Sequence, residues 1–247
     1  MNRYYYDFHI HSCLSPCADN DMTPNNIAAV ATLVGINVMA LTDHNTSKNC
    51  PAFFSAAKKN GIIPIAGMEL TTAEDIHIVC LFETLEEAMR FDGFVDEHRI
   101  KIKNKTEIFG EQLILDENDV QIGIDEYLLS NATDIPVDDV KKIVDGFNGI
   151  SYPAHIDREA NGIIATLGTF PEECGFDIAE FYDETKTDEY LKKYQSLNDK
   201  KILLSSDAHY IWDIKDKRGY FEIDDEPYSS QKIRSEIFKI LRMVENK

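Results

Sequence analysis

Apolar, β-branched runs alternate along this chain with segments patterned as helices, and several of the joints carry caps. "YYYDFHIH", "NVMALTDH", "IIPIAGMEL", "IHIVCLF", "ISYPAH", "FDIAEF" and "KILLSSDAH" read as strands. Between them "TPNNIAAVATLVG" reads as a helix with Thr23 as N-cap, Pro24 at its first position and Gly35 as its stop. "PAFFSAAKKNG", a charged stretch from about Thr84 to Lys103, "IPVDDVKKIVDGFNG", "TDEYLKKYQSL" and the closing "SSQKIRSEIFKILRMV" are the other helices. Such repetition predicts an α/β fold with a parallel sheet, open or closed into a barrel. Residues 107–135 break the rhythm: two short strands around "DEND" followed by more helix are expected there. With no linker or low-complexity segment, residues 1–247 are expected to form a single domain carrying that excursion.

Hydrophobic residues make up 43% of the chain, enough to bury a core and exclude disorder. Asp and Glu number 44 against 25 Lys and Arg, a net charge of −19. A field of that sign repels nucleic acid unless cations reverse it locally, so no long duplex partner is expected. Five cysteines (Cys13, Cys17, Cys50, Cys80 and Cys174) lack a disulfide-like spacing, and no apolar run approaches the roughly 20 residues of a membrane span. The start of the chain lacks the basic-then-apolar layout of a signal peptide. A reducing cytoplasm, without a membrane partner, is the expected setting.

The histidines are not scattered. His9 and His11 end the first strand at i, i+2 spacing, which places both on one face. His44 ends the second strand and Glu69 the third, while His77 opens the next after a short loop. His155 ends "ISYPAH", and Asp207 and His209 end "SSDAH". Only His98, in the charged helix, is left out. A lone histidine at a strand end is more often structural than a ligand; two same-face pairs, three further histidines and a glutamate at equivalent edges point to metal. Imidazole with carboxylate suits Zn, Mn or Fe rather than Ca or Mg, and so many donors suit two or three ions.

These residues sit in motifs, "DFHIHS", "LTDHN", "GMELTT" followed by His77, "PAHIDR" and "SSDAH", that together resemble the PHP (polymerase and histidinol phosphatase) family of metal-dependent phosphoesterases. The resemblance spans residues 7–209 and implies a distorted (β/α)7 TIM-like barrel. It implies one metal position held by His9, His11, Asp207 and a bridging Glu69, and a second held by His44, His209 and an acid from "DNDMTP". Spacing to Pro24 favours Asp19 over Asp21 for that acid. A third position would share Glu69 and take His77 and His155. The sequence departs from the family pattern at Ser205, at Ile156 and in "NTSKNCP", which puts the substrate rather than the metals in question.

The implied chemistry is hydrolysis of a phosphate ester by a metal-activated water, on a small phosphorylated substrate of the nucleotide or short-oligonucleotide kind. Arg158 would grip a phosphate, or else pair with a surface acid. Asp43 would orient a ligand histidine, or else cap the loop after the second strand. Histidinol-phosphate hydrolysis, a non-catalytic metal-binding module and an amidohydrolase-type C–N hydrolase are the alternatives. Cys13, Cys17 and Cys50 flank the ligand loops but lack CxxC spacing, so they read first as small loop residues rather than as a thiolate site.

Overall fold

The computed structural model describes residues 1–215 and 217–243. Strand β1 (Asn2–Asp7) leads into helix α1 (Pro24–Val34), where the Thr23 side chain accepts from the Asn26 N–H and Gly35, at φ 79°, closes the end. Then come β2 (Val38–Leu41), α2 (Cys50–Lys59), β3 (Ile63–Thr71), β4 (His77–Phe82) and α3 (Leu85–His98). A single-turn helix α4 (Thr106–Phe109) precedes strands β5 (Leu113–Leu115) and β6 (Gln121–Ile124). The chain continues through α5 (Val137–Gly146), β7 (Ile150–Pro153), α6 (Ile163–Leu167), β8 (Ile178–Phe181), α7 (Thr187–Lys193), β9 (Lys201–Leu204), β10 (Gly219–Ile223) and α8 (Ser230–Arg242). The final residue of the predicted closing helix, Val244, lies outside the described residues.

The main sheet has the order β10-β1-β2-β3-β4-β7, and β8 and β9 pair in parallel beside it. Curled into a half-barrel, it gives a mixed α/β fold in which strand residues alternate between two cores. Val38, Ala40, Ile63, Ile65, Val79 and Leu81 face inward onto α8, which contributes Ile233, Ile237, Phe238 and Leu241. Met39, Leu41, Met68, Leu70, Ile78 and Cys80 face outward onto α1, α2, α3 and α5. The sheet is mixed, not parallel as expected: β4 runs antiparallel to both β3 and β7, and β10 antiparallel to β1. The reason is the short loop between β3 and β4, too short for the crossover that a parallel pair requires. A useful consequence is that β4 begins where β3 ends, with His77 opposite Thr71.

Three helix expectations fail, the first two for visible reasons. The charged helix α3 stops at His98, and Arg99 turns extended (φ −69°, ψ 134°). Its guanidinium is drawn into a buried pair with Asp125, Nη1 to Oδ2 at 2.9 Å and Nη2 to Oδ1 at 3.0 Å. No helix forms after β6 either; residues 125–136 run irregularly to α5, tied by that pair and by Gln112, which bonds the Asp125 and Tyr127 carbonyls. The predicted strands around "DEND" do form a hairpin, β5–β6, with a register shift between Ile114 and Leu115. It is stitched over the loop after β1 by the Leu113 N–H to the Cys13 carbonyl and by Asn49 to Leu113 and Leu115. "TDEYLKKYQSL" likewise breaks after Lys193 into a 3-10 turn, with Tyr194 extended.

Burial alone would raise the Asp125 carboxyl, but Arg99 and Lys48 (Nζ at 2.8 Å) outweigh it and hold it at about 2. A carboxyl depressed on folding stabilises the fold above its unfolded value of about 4 and loses that contribution as pH falls through about 2. Asp125→Asn, which leaves Arg99 buried without its counter-charge, is expected to cost about 3 kcal/mol at neutral pH. Urea unfolding at pH 7 and pH 3 checks this: the gap between wild type and variant should shrink at the lower pH.

Candidate metal centre

Glu69 is the inward residue near the end of β3, on the same face as Ile63, Ile65 and Gly67. At Gly67 the chain passes β4 so closely that a Cβ would lie 2.5 Å from the Cys80 carbonyl oxygen, so only glycine allows this register. Five imidazoles converge on the Glu69 carboxylate. Its Oε1 lies 2.8 Å from His77 Nδ1, 3.1 Å from His155 Nε2 and 3.2 Å from His9 Nε2. Its Oε2 lies 3.0 Å from His44 Nδ1 and 3.3 Å from His11 Nε2. Asp207 stands beside them, its Oδ1 3.1 Å from His11 Nε2 and 3.4 Å from His9 Nε2. His209 stacks on His11 with ring centroids 4.1 Å apart. Six of the seven histidines therefore meet. His98 does not: it is the last residue of α3 and pairs with Asp134 at 2.7 Å.

The backbone reaches this geometry by leaving regular strand conformation. β1 ends at Asp7, whose Oδ1 accepts the N–H groups of His9 and Ser206. Phe8 packs in the inner core and Ile10 in the outer one, so the alternation shifts by one and turns His9 and His11 inward together. His155 (φ 29°), Asp207 (φ 49°) and Asn45 beside His44 (φ 50°) all occupy the left-handed region. Non-glycine residues are strained there, and three at one sheet edge mark a place where side-chain direction has overridden backbone comfort.

Burial disfavours charge on Glu69, His9 and His77, and the neighbouring groups counter it to different extents. Burial pushes Glu69 up, but His77, His9 and His44 outweigh it and hold the carboxyl well below its ordinary value. Burial lowers His9, but Glu180, Glu69 and Asp207 raise it well above the ordinary imidazole value. His77 goes the other way: burial dominates and brings it to about 4, so its ring is neutral at pH 7. The donor set suits a divalent cation on two grounds. Glu69 Oε2 and the Nδ1 atoms of His44, His77 and His155 are buried without a hydrogen-bond partner. Three groups of donor atoms also lie within 4.8 Å of one another: His9, His11, Glu69 and Asp207; His44, Glu69 and His77; and His11, His44 and His209.

Asp19 and Asp43 are placed differently from expectation. The Asp19 carboxylate turns back to accept the Asp21 N–H at 2.8 Å and joins none of these groups. A tight turn through residues 15–22 uses it as a local cap. Asp43 touches no imidazole directly. It accepts from the Ser12 N–H, the Ser12 hydroxyl and the Ser15 hydroxyl, and Ser15 Oγ in turn lies 2.9 Å from His11 Nδ1. Arg158 does reach the site, with Nη1 2.5 Å from Asp207 Oδ2 and its guanidinium 4.0 Å above the Tyr182 ring.

Two residues were not singled out as site residues from the sequence. Glu180 on β8 holds His9 Nδ1 at 2.7 Å and accepts the His155 N–H. The signal was the one acid within the apolar strand "IAEF". Cys17 places its thiol 3.2 Å from His44 Nε2. Burial raises that thiol, but His44 and His209 outweigh it and bring it down to about 5.

Against known proteins, the sequence matches the PHP domain over residues 7–225. A 5'-3' exoribonuclease of Haemophilus influenzae is 39% identical over 79 residues, which are 31% of this chain and 28% of that protein. The lesion-specific endonuclease PfuEndoQ of Pyrococcus furiosus superposes with a TM-score of 0.69 at 17% identity, over 97% of this chain and 56% of its own. A putative metal-dependent phosphoesterase of Bifidobacterium adolescentis gives 0.61 at 16% identity, over 94% and 96%. The chain thus spans little more than half of PfuEndoQ and under a third of the exoribonuclease.

The expectation that an acidic balance excludes a long duplex is overturned within this fold. Endonuclease Q, in a structure that superposes with a TM-score of 0.63 at 17% identity over 97% of this chain and 57% of its own, is solved with a 27-mer duplex whose abasic lesion lies at the active site. Net charge sums over the whole surface, whereas a phosphate meets the field within a Debye length of about 8 Å. Since the match to the domain runs from Asp7 past His209 and so takes in every imidazole of the cluster, the chain belongs to the PHP family of metal-dependent phosphoesterases.

Proposed function

We propose that this protein, residues 1–247 acting as one domain, hydrolyses a phosphate ester in a nucleotide or a nucleic-acid strand at the histidine–carboxylate cluster. The observation that carries the proposal is the convergence of five imidazoles on the buried Glu69 carboxylate. Two or three divalent Zn, Mn or Fe ions would be held by His9, His11, Glu69 and Asp207, by His44 and His209, and by His77 and His155 with Glu69. When bound, such ions supply Lewis acidity that activates water and offsets phosphoryl charge. Around them the chain fixes its own donors: Glu180 orients the His9 ring, Ser15 orients His11, and Asp43 holds Ser15 in place. A cytoplasmic setting suits the five unpaired cysteines, and among the described residues no helix is long and apolar enough to cross a membrane.

The seven strands β1, β2, β3, β4, β7, β8 and β9 would form the distorted barrel of the family, with residues 107–135 inserted. Two contacts support its closure: Ile10 bridges Ala208 in parallel, and the Ile156 N–H donates to the Glu180 carbonyl.

Three features favour a nucleic-acid strand as substrate. Tyr210 and Trp212, just past His209, stack with centroids 5.1 Å apart and stand exposed. Arg158, Lys215 and Arg218 lie 4.0, 4.8 and 5.9 Å from the Tyr182 ring, a local cationic patch on an acidic chain. A cleft of about 640 Å³ runs beside Cys17 between Tyr210 and the excursion residues Ile108, Phe109 and Ser130. Bases stack on such aromatic shelves, and the patch supplies phosphate contacts.

Glu69→Gln is expected to abolish turnover and lower metal content below two ions per chain, while His98→Ala leaves both near wild type. Elemental analysis with a phosphodiesterase and phosphomonoesterase screen reads this; loss with His98→Ala but not with Glu69→Gln would refute the assignment. Arg158→Ala is expected to cost about 2 kcal/mol in kcat/KM at unchanged metal content, with lysine restoring only part. Trp212→Ala should raise KM for an oligonucleotide by about 1 kcal/mol or more and leave that for a small phosphate monoester unchanged. Equal effects on both substrates would remove the strand from the proposal.

A further inference from the structure

Loop residues 12–22 contain a donor that the motif alignment does not supply. Two successive turns, Ser15 N–H to the Ser12 carbonyl and Ala18 N–H to the Ser15 carbonyl, fold the loop back over the cluster. This path carries the Asp19 carboxylate away to cap Asp21 and brings the Cys17 thiol to His44 Nε2 at 3.2 Å. A tetrahedral cation about 2.0 Å from nitrogen and about 2.3 Å from sulfur holds such donors roughly 3.5 Å apart, so a small opening suffices. His44 is buried, and its other nitrogen, 3.0 Å from Glu69 Oε2, has no hydrogen-bond partner in the protein.

The neighbouring cysteines behave otherwise. Cys13 Sγ faces the Leu113 carbonyl, and Cys50 Sγ faces the carbonyls of Leu41 and Gly67, so each is bonded to backbone away from any imidazole. Cys17 alone of the three turns toward ring nitrogens.

Resting on the metal-centre reading above, we propose that Cys17 Sγ is a thiolate ligand of the cation held by His44 and His209, in the place the family alignment gives to Asp19. The consequence is selectivity. A soft sulfur donor favours Zn or Fe over Mn and Mg at that position, whereas an all-nitrogen-and-oxygen set discriminates less.

Cobalt(II) loading of the chelator-stripped chain tests this without reference to turnover. Wild type should show a near-ultraviolet sulfur-to-cobalt charge-transfer band together with tetrahedral visible bands. Cys17→Ser should lose the near-ultraviolet band while still binding cobalt through the remaining donors, and its zinc affinity at that position should fall at least about tenfold. Asp19→Asn should keep the band. Cys17→Asp should restore stoichiometry without the band and bring manganese affinity closer to that of zinc. Far-ultraviolet circular dichroism on each variant establishes that the fold is retained. Cobalt bound to wild type without a thiolate band, or a band that survives in Cys17→Ser, overturns the Cys17 assignment and leaves the metal centre standing. Wild type that binds no cobalt or zinc at all overturns both.

Discussion

A carboxylate buried almost completely among imidazoles is the constraint on which this architecture turns. Glu69 has its two oxygens within 2.8 to 3.3 Å of five histidine nitrogens, and an isolated carboxylate in such a place would be prohibitively unstable. Histidines at the edges of β1, β2, β4 and β7 compensate it. Proton sharing serves the protein alone, and divalent cations serve better, because each brings two charges and several coordination positions to donors that lack partners. His77, held neutral by burial, keeps a lone pair free for that purpose, while His9 is drawn toward the charged form by three carboxylates.

Sheet geometry and site geometry are linked through departures from regularity. Inward residues low in the strands are apolar and pack on α8, whereas those at the rim are histidines and acids. Passing from one to the other required a one-residue shift after Phe8, a glycine at the close approach of β3 to β4, and left-handed backbone at Asn45, His155 and Asp207. The antiparallel insertion of β4 belongs to the same logic, since it brings the first residue of a strand to the edge where its neighbours end.

Charge is also organised locally. The chain carries −19 overall, yet Arg158, Lys215 and Arg218 gather around Tyr182 near Asp207, and Arg99 and Lys48 converge on Asp125 beneath the hairpin. The β5–β6 hairpin is not a free appendage. Hydrogen bonds tie it to the loops bearing Cys13 and Asn49, and Ile108 and Phe109 ahead of it line one wall of the cleft beside the cluster.

By itself the sequence determined the repeating elements, the capping of α1, the hairpin around "DEND" and the gathering of six histidines, because periodicity and strand-end position are local properties. It also separated His98 from the rest, since a histidine amid helix charges has no sheet edge to reach. Only the tertiary structure decided which way β4 runs, where α3 stops, and that residues 125–136 are irregular: each was settled by a contact or a loop closure between distant residues, as with Arg99 and Asp125. The same holds within the site. Alignment spacing pointed to Asp19, but whether a side chain on a tight turn faces inward depends on the turn, and this one presents Cys17 to His44 instead. Glu180 was unreadable for a related reason, because a single acid in an apolar strand declares its partner only when the strand is laid beside His9.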